Sequence, residues 1–220
     1  MAKDDNKRTF IARRVSRELV DGTVANLGIG LPTLCAQYLP QGVSVLFQAE
    51  NGMIGMGPRG CGDADCRCLD AGGNQVSIVP GGCFFDSFTS FGIIRGGHVH
   101  TTVLGALQVD QEGNLASWIV PGKMVSGMGG AMDLVVGASR VIVAMEHVTK
   151  EGNPKIMKRC GLPLTAAGEV DLIVTDMAVI ERTAEGLVVR EIAEGVTLED
   201  LRKATDAELL VPVEPKIMTV

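Results

Sequence analysis

The chain has 220 residues, 46% of them hydrophobic and 21% charged, which is the balance of a globular protein and argues against intrinsic disorder. The net charge of −6 argues against a general binder of nucleic acids or membrane surfaces, because such binders carry an excess of basic residues. No apolar run approaches the roughly 18 residues of a membrane span, and the polar start "MAKDDNKRTF" contains no signal-peptide core, so we expect a cytoplasmic protein whose six cysteines are reduced.

Segments with helical periodicity alternate with apolar, strand-like runs along the chain. Helices are predicted over residues 9–22, 31–39, 87–94 and 197–205, with Pro32 and Thr197 as starting residues. Strands are predicted over residues 23–30, 43–48, 75–82, 100–107, 140–145 and 170–176, followed by a hairpin over 177–192 that turns near Glu185 and Gly186. This order indicates an α/β fold with an open, mixed and largely parallel sheet flanked by helices. We expect one domain over residues 1–220, with an extended tail after about residue 212.

A single carboxylate closes the predicted strand at residues 43–48. Glu50 is followed by Asn51 and Gly52, and then by Gly55 and Gly57. An ordinary surface glutamate needs no glycines around it, whereas a carboxylate that a large ligand must approach does need them, because glycine lets a backbone come close to a ligand. The pattern favours Glu50 as a functional residue.

A second glycine-rich segment lies before an apolar, helix-like run. Gly127, Gly129 and Gly130 fall within four residues, more than a plain turn uses. Backbone N–H groups at such a position form an anion or oxyanion site. Lys123 lies just upstream as a candidate cation, although most single lysines are simply solvated.

The segment "NLGIGLPT" (26–33) is a strand, a glycine turn and a helix start. It contains Gly28 and Gly30 but has Thr33 where the dinucleotide-binding pattern G-x-G-x-x-G requires its third glycine, so a dinucleotide-dependent oxidoreductase is disfavoured. A tight structural turn and a ligand-facing turn both remain open. Asn26 is the polar residue expected to face the ligand crevice at the carboxyl end of the sheet.

Other catalytic and metal-binding patterns are weak. Cys61, Cys66 and Cys68 have the spacing C-x4-C-x-C rather than the paired C-x2-C of zinc modules, and His98 and His100, which alternate on one predicted strand face, lack a third ligand nearby. We therefore expect no metal site. The sequence contains no G-x-S-x-G elbow for a serine hydrolase, and the loop of Glu50 offers no second acid for a glycosidase pair.

Four stretches together carry a resemblance to a known family: "QAENGMIGMGP", "PGGCFFDSFTSFGIIRGGHV", "LGALQVDQEGNLASWIVPGKMVSGMGGAMDLV" and "MEHVTKEGNPKIMKRCGLPLT". In this order they resemble the β subunit of class I (3-oxoacid-type) CoA-transferases, over about residues 8–205. The resemblance implies that Glu50, in the family's S-E-N-G motif, is the catalytic nucleophile. It also implies that the segment from Gly129 to Ala131, above all Gly130, supplies N–H groups to the oxyanion.

The resemblance further implies which residues hold the substrate. Asn26 matches an asparagine near the bound CoA. We assign the following residues to the substrate- and CoA-binding set: Asn26, Gly28, Gly30, Asn51, Gly52, Ala131 and Lys123. The chain departs from the family pattern at Ala49, usually serine, at Ser117, usually asparagine, and at Gly73, where a lysine is common.

A CoA-transferase of this kind implies an open α/β sheet, a glutamyl-CoA thioester on Glu50, and no metal or organic cofactor beyond CoA itself. It also implies an α subunit that completes the site, usually in an α2β2 assembly. Acetoacetate, acetate, butyrate and succinate are all candidate acids, and we favour short, uncharged acyl groups. The aromatic residues of "FFDSFTSF" (84–91) are explained equally by an acyl pocket and by core packing. A non-catalytic relative that binds CoA or a sugar phosphate is the alternative function.

Overall fold

The computed structural model describes residues 2–58, 67–125 and 127–220. Its helices are α1 (Ala2–Ser16), α2 (Ser87–Arg95), α3 (Ala131–Gly137) and α4 (Leu198–Lys203), and a 3₁₀ helix covers Pro32–Tyr38. Its strands are β1 (Val24–Leu27), β2 (Leu46–Ala49), β3 (Met53–Gly57), β4 (Ser77–Phe84), β5 (Thr101–Leu104), β6 (Gln108–Asp110), β7 (Leu115–Ala116), β8 (Ile119–Val120), β9 (Met124–Val125), β10 (Arg140–Ala144), β11 (Ile156–Met157), β12 (Leu172–Val174), β13 (Ala178–Thr183), β14 (Gly186–Ile192), β15 (Leu209–Leu210) and β16 (Lys216–Ile217).

One large mixed sheet organises the described part of the chain. Its strand order is β15-β14-β13-β12-β10-β5-β1-β2-β3-β4, and β16 pairs with β14. The central strands β12, β10, β5, β1 and β2 are mutually parallel, whereas β3, β4, β13 and β14 are added in antiparallel pairs. The predicted α/β fold with a mixed, largely parallel sheet is confirmed.

The strand order of the sheet reverses at β1, so that later strands are added on both sides of it. The next strand, β2, lies on one side of β1, and β5 lies on the other. Apolar side chains from α1 and the 3₁₀ helix, such as Ile11, Val15 and Cys35, cover one face of the sheet. Ile94 of α2 and Leu134 of α3 belong to the core on the other face. A crevice at the carboxyl ends of the strands around such a reversal is where open α/β sheets bind ligands.

Two local predictions near the C-terminus are confirmed. The hairpin of β13 and β14 turns between Thr183 and Gly186. Thr197 caps α4: its hydroxyl accepts the N–H of Asp200, and the Asp200 carboxylate accepts the N–H of Thr197 in return. This reciprocal pair is a capping box, which satisfies two backbone donors at the helix start.

The opening helix ends earlier than predicted, at Ser16 rather than near Gly22. The chain leaves the helix where Glu18 is held by two cations, Arg14 at 2.8 Å and Arg140 of β10 at 2.6 Å. Arg14 also contacts the Glu191 carboxylate at 2.7 Å. These tertiary ion pairs tie the end of the helix to the sheet, and helical periodicity alone could not reveal them.

The segment at residues 31–39 is a 3₁₀ helix, although its pattern suggested an ordinary helix. No side chain caps its start at Leu31, and Leu39 is extended because Pro40 follows it. The segment enclosed by Pro32 and Pro40 is short, and short 3₁₀ helices are common connectors.

The tail after residue 212, predicted as an extended segment, rejoins the sheet, a pairing that no sequence pattern indicated. Lys216 and Ile217 of β16 pair in parallel with Glu191 and Ile192. Met218 is only 3% exposed and belongs to the core that α1 covers. The tail therefore completes one side of the fold.

Candidate active site

A cleft of about 530 Å³ lies at the carboxyl ends of β1, β2 and β5. The turn before α3 forms part of its wall. Of the residues predicted for the site, six line this cleft: Asn26, Gly28, Glu50, Gly129, Gly130 and Ala131. The parallel strands and the glycine-rich turn thus bring together the two segments that sequence patterns selected separately.

Glu50 directly follows β2 and stands in the tight turn that leads into β3. The Gly52 N–H donates to the Ala49 carbonyl at 3.0 Å, which closes the turn. Gly52 has a φ of +124°, and a Cβ on it would lie 2.0 Å from the Phe85 carbonyl oxygen, so no other residue fits there. The segment predicted as a loop is therefore a β2–β3 hairpin, in which the glycine fixes where Glu50 projects.

Glu50 faces the glycine that begins α3. Its Oε1 atom lies 3.4 Å from the position that a Cβ would occupy on Gly130, and the Phe91 ring comes within 3.2 Å of the same position. The Ala131 N–H is already used within the turn, since it donates to the Met128 carbonyl at 3.2 Å. The N–H groups of Gly129 and Gly130 are therefore the better candidates for stabilising an oxyanion.

Burial in this cleft raises the pKa of the Glu50 carboxyl above its ordinary value. The neighbouring Asn26 amide and the Glu50 backbone N–H oppose the rise, and the like charge of Asp70 adds to it. Among the described residues that line the cleft, Glu50 and Asp70 carry the charges, and none is basic. A partly desolvated carboxylate is more basic, and hence more nucleophilic, than one in water.

A buried chain of polar side chains runs beneath Glu50. Asn26 Nδ2 donates to Gln48 Oε1 at 2.6 Å and to the Gln48 backbone carbonyl at 3.1 Å. Gln48 Nε2 donates in turn to the Ser90 hydroxyl of α2 at 2.9 Å. Each of the three residues is no more than 1% exposed. Sequence reasoning found Asn26 but missed Gln48 and Ser90; the available signal was that Gln48 is a polar residue at the end of the predicted strand, two residues before Glu50.

A family model described as Coenzyme A transferase matches residues 8–204. The chain belongs to this family. It is 50% identical over 204 residues to the acetate CoA-transferase subunit beta of Escherichia coli K12, an alignment that covers 93% of this chain and 94% of that protein. The predicted resemblance to a CoA-transferase β subunit is confirmed, and with it the enzyme class.

Longer relatives contain this CoA-transferase unit as one part. The chain is 47% identical over 206 residues to the human mitochondrial succinyl-CoA:3-ketoacid coenzyme A transferase 2, which covers 92% of this chain and 40% of that protein. Among solved structures, the apoenzyme of an acyl-CoA transferase from Escherichia coli O157:H7 matches with a TM-score of 0.77 and 24% identity, over 97% of this chain and 43% of that one. The fold is thus shared with a solved acyl-CoA transferase.

Four residues predicted for substrate binding do not line the cleft of this CoA-transferase. Gly30 lies in an exposed turn with a φ of +94°, and the Asn51 amide points to the Leu69 carbonyl at 2.9 Å. Gly52 instead packs against the backbone carbonyl of Phe85. Lys123 is exposed in the turn between β8 and β9. The pKa of Glu151 is lowered mainly by a hydrogen bond from the Thr149 side chain, and the charge of Lys123 adds to this.

The positions that depart from the family pattern have different surroundings. Ser117 lines the cleft, where its hydroxyl hydrogen-bonds to the Thr165 hydroxyl at 2.8 Å. Ala49 is buried at the end of β2, beside Glu50. Gly73 is exposed in a turn with a φ of +77°. Ala49 and Ser117 both line the described cleft, whereas Gly73 does not.

The aromatic residues of segment 84–91 are not among the residues that line the described cleft. Phe91 packs beside Gly130, but Phe88 is 87% exposed and Phe84 is 59% exposed. Phe84 lies close to the turn of Glu50, because it pairs with Met53 and the next residue, Phe85, donates its N–H to the Gly52 carbonyl. Phe88 lies in the first turn of α2. An apolar surface therefore borders the site.

The remaining candidates show no shared site within the described residues. His98 and His100 precede β5 rather than alternating along it, and His100 Nδ1 contacts the Thr101 hydroxyl at 2.9 Å. Cys61 and Cys66 lie outside the described residues, and no group of three metal-ligating side chains occurs within them. No helix in the described part of the chain is both long and apolar enough to cross a membrane.

Proposed function

We propose that this chain is the catalytic β subunit of a CoA-transferase that moves CoA between a short-chain acyl-CoA or 3-oxoacyl-CoA and a carboxylic acid. Glu50 is the nucleophile. The observation that supports this role most directly is the placement of Glu50, which stands at the end of a central parallel strand, partly desolvated and opposite Gly130.

The proposed reaction preserves the energy of the thioester while the acids are exchanged. The Glu50 carboxylate attacks the acyl-CoA carbonyl, which expels CoA thiolate and leaves a mixed anhydride. The thiolate then attacks the Glu50 side-chain carbonyl and releases the first acid as its carboxylate, so that CoA is held as a glutamyl thioester. An incoming carboxylate reverses both steps. One difficult exchange is thereby split into easier covalent steps.

Each attack places negative charge on a carbonyl oxygen. In the proposal, the N–H groups of Gly129 and Gly130 stabilise that charge; losing one such donor typically costs about 3–4 kcal/mol of transition-state stabilisation. Water must be excluded, because both the anhydride and the thioester hydrolyse. The apolar surroundings that raise the pKa of Glu50 serve this purpose as well.

Asn26, Gly28 and Ala131 are proposed to contact the substrate, and their position at the cleft supports this. A Cβ on Gly28 would lie 3.0 Å from the Leu104 side chain, so glycine keeps this wall open. Gly30, Asn51, Gly52 and Lys123 were assigned to the same substrate- and CoA-binding set; they do not line the described cleft, and their role in binding stays a proposal. No metal or organic cofactor is required besides CoA, which is a cosubstrate.

The acyl group is proposed to be short and uncharged. A dicarboxylate such as succinate needs a cation for its second acid, and the described residues of the cleft include none. Acetate, butyrate and acetoacetate fit the cleft better on this ground.

A companion α subunit is proposed to close the cleft, in an α2β2 assembly in the cytoplasm. A relative in which the unit stands alone is named a subunit beta, and one longer relative carries it within a single chain. The exposed rings of Phe84, beside the Glu50 turn, and of Phe88, at the start of α2, provide the kind of aromatic surface that partners cover, since large exposed apolar patches are uncommon on isolated proteins.

The test is to detect CoA on Glu50. The complex that co-purifies with this chain is incubated with acetoacetyl-CoA without acceptor acid, quenched and analysed by mass spectrometry. We expect a CoA adduct on the peptide that contains Glu50, and none in Glu50→Gln, with the exposed Glu185→Gln as the matched control. If transfer survives in Glu50→Gln, the nucleophile is wrong. If an assembled complex gives no adduct with acetoacetyl-, butyryl- or succinyl-CoA, the chain is instead a non-catalytic CoA or sugar-phosphate binder.

A further inference from the structure

Two of the described residues that line the cleft carry a hydroxyl group, Thr33 and Ser117. Thr33 spends its proton inside the chain, because its hydroxyl donates to the Gly30 carbonyl at 2.7 Å. A hydroxyl has one proton to give, so Thr33 has none left for a ligand. Whether the cleft offers a ligand a free hydroxyl donor therefore depends on Ser117.

Ser117 makes its hydrogen bonds with Thr165. The Ser117 backbone N–H donates to the Thr165 hydroxyl oxygen at 3.0 Å, and the two hydroxyl oxygens lie 2.8 Å apart. Thr165 is only 4% exposed, whereas Ser117 is half-buried and faces the cleft. Within the described part of the chain, neither hydroxyl has a further partner.

Burial decides which of the two hydroxyls donates to the other. If Ser117 donated, the Thr165 proton would be buried without an acceptor among the described residues, which is costly. If Thr165 donates, its oxygen and its proton are both satisfied, and the proton left over belongs to Ser117 at the surface of the cleft. The second arrangement is favoured, so Ser117 presents a donor to whatever the cleft binds.

Backbone hydrogen bonds hold this pair in place. The Thr165 N–H donates to the Leu115 carbonyl at 2.6 Å, and the Leu115 N–H donates to the Ala166 carbonyl at 2.9 Å. Strand β7, which ends directly before Ser117, is paired with β6. A donor on a segment supported in this way is preorganised, which lowers the entropy cost of using it in binding.

Ser117 meets the cleft on the β5 side, whereas Glu50 meets it on the β2 side. Ser117 lies beside the connection from β5 to β6, because the Leu107 N–H donates to the Ala116 carbonyl at 2.9 Å. Strands β2 and β5 flank β1 and are therefore two strand spacings apart, about 10 Å. A glutamate side chain, a short acyl group joined to it and a hydrogen bond to a serine together span a distance of this order.

The surroundings of Ser117 suit an uncharged acceptor. Leu104, Ala106 and Leu107 line the cleft on this side, and none of its described lining residues is basic. A carboxylate held here would lack a cation, whereas a ketone oxygen on a short alkyl chain needs one donor and apolar walls.

We propose that Ser117 is a specificity-determining residue, which donates its hydroxyl proton to the 3-oxo oxygen of a bound 3-oxoacyl group. This inference rests on the proposed function, because it requires an acyl group delivered to Glu50. It predicts that the cleft prefers an acetoacetyl group to a butyryl group, which has the same number of carbons and lacks the 3-oxo oxygen.

The test compares acetoacetyl-CoA with butyryl-CoA on the assembled complex. The variants are Ser117→Ala and Ser117→Cys, which keeps a side chain of similar size that is only a weak donor. Calorimetry gives the dissociation constants in Glu50→Gln complexes, where the proposed nucleophile is absent, and mass spectrometry follows adduct formation in complexes that retain Glu50.

The control variant is Ser16→Ala. The Ser16 hydroxyl is buried and bonds to the Arg13 and Tyr38 carbonyls at 2.8 and 2.7 Å, but Ser16 does not line the cleft. Its loss therefore reports what the removal of a buried hydroxyl does to the fold alone, and thermal melts measure that effect in every variant.

We expect Ser117→Ala and Ser117→Cys to bind acetoacetyl-CoA about fivefold more weakly, as for one lost hydrogen bond, and to bind butyryl-CoA as the parent does. Ser16→Ala loses thermal stability and keeps the parent's affinity for both thioesters. An equal loss for both thioesters overturns the proposal, because the contact then lies on the CoA arm that they share. Unchanged affinity in folded complexes overturns it as well.

If Ser117→Ala does not assemble, Ser117→Cys decides. A parent complex that binds both thioesters and forms no adduct on Glu50 counts against the proposed function, and the comparison of the two dissociation constants still decides the role of Ser117.

Discussion

Glu50 Oε1 lies 3.4 Å from the place where a Cβ on Gly130 would stand, and the Phe91 ring lies 3.2 Å from the same place, so an added methyl group would touch the carboxylate and press against the ring. The backbone of Gly130, with a φ of −82° and a ψ of 2°, is one that alanine adopts readily. Glycine is therefore favoured at position 130 by the neighbouring side chains and not by the backbone conformation.

Gly130→Ala is expected to lower the rate of adduct formation about tenfold or more, because small displacements of a nucleophile are costly to the reaction. Its free energy of unfolding should change by less than about 1 kcal/mol. Stopped-flow assay and thermal melting measure the two effects. Gly92→Ala on α2 is the control, since a Cβ there meets nothing within 4 Å; equal activity of both variants would show that the contact with Glu50 does not matter.

Glu50→Gln is expected to become more stable relative to the parent as the pH rises. Burial raises the pKa of Glu50, so between its unfolded and folded pKa values the native state binds more protons than the unfolded state. The parent therefore loses stability as the pH increases through this window, whereas the glutamine variant has no proton to lose. Melting temperatures of both proteins at pH 4.5 and pH 8 test this, and a constant difference between them would contradict the raised pKa.

Phe88→Asp is expected to weaken assembly with the companion subunit by about thirtyfold, the effect of losing an aromatic anchor of about 2 kcal/mol. The isolated chain should stay folded, because the ring is 87% exposed. Light scattering of the purified complex across a dilution series gives the dissociation constant. Val213→Asp, at a residue that is 73% exposed on the C-terminal tail, is the control. If the two variants assemble equally well, the docking surface lies elsewhere.

His147 is expected to make the fold sensitive to acid. It is fully buried between the Thr175 and Thr205 hydroxyls, each 2.9 Å from a ring nitrogen, and burial lowers its pKa from 6.5 to about 4. Because the unfolded chain binds the proton more tightly, stability is fully present above about pH 6.5 and declines towards pH 4. The shift corresponds to about 3 kcal/mol.

The check on His147 is a comparison of melting temperatures between pH 7 and pH 5. His147→Gln is expected to be less stable at pH 7 and to lose less on acidification than the parent. His98→Gln, at an exposed histidine, should behave as the parent does. An identical pH dependence in all three proteins would assign the acid sensitivity to carboxylates instead.

The sequence was sufficient for features that depend on neighbouring residues. The buried strand β10 follows from the near-continuous apolar run at residues 140–145, and the start of α4 follows from Thr197 as its cap. Features set by distant partners were missed. The return of the tail to β14 joins residues about 25 apart, and the bond from Gln48 to Ser90 spans 42 positions.

In the site, too, local features could be predicted from the sequence, whereas contacts between distant residues could not. Glu50 and Gly130 could be selected because glycines around a carboxylate and before a helix are unusual in themselves. That Glu50 Oε1 should stand against Gly130 depends on how a hairpin, a helix and a parallel strand meet, which no spacing along the chain expresses. The exposure of Phe88 was equally hidden, since an aromatic residue flanked by small ones looks the same in a core and on a surface.

The buried chain of polar side chains beneath Glu50 also bears on how the protein can be altered in the laboratory. Aliphatic side chains of similar size at Asn26, Gln48 and Thr102 would remove hydrogen-bonding groups from the middle of the sheet, where Asn26 Oδ1 and Thr102 Oγ1 have no hydrogen-bond partner among the described residues. Screening a library for thermal stability alone would therefore favour substitutions at these positions. Its most robust members would be well folded and inactive, and activity must be selected alongside melting temperature from the first round.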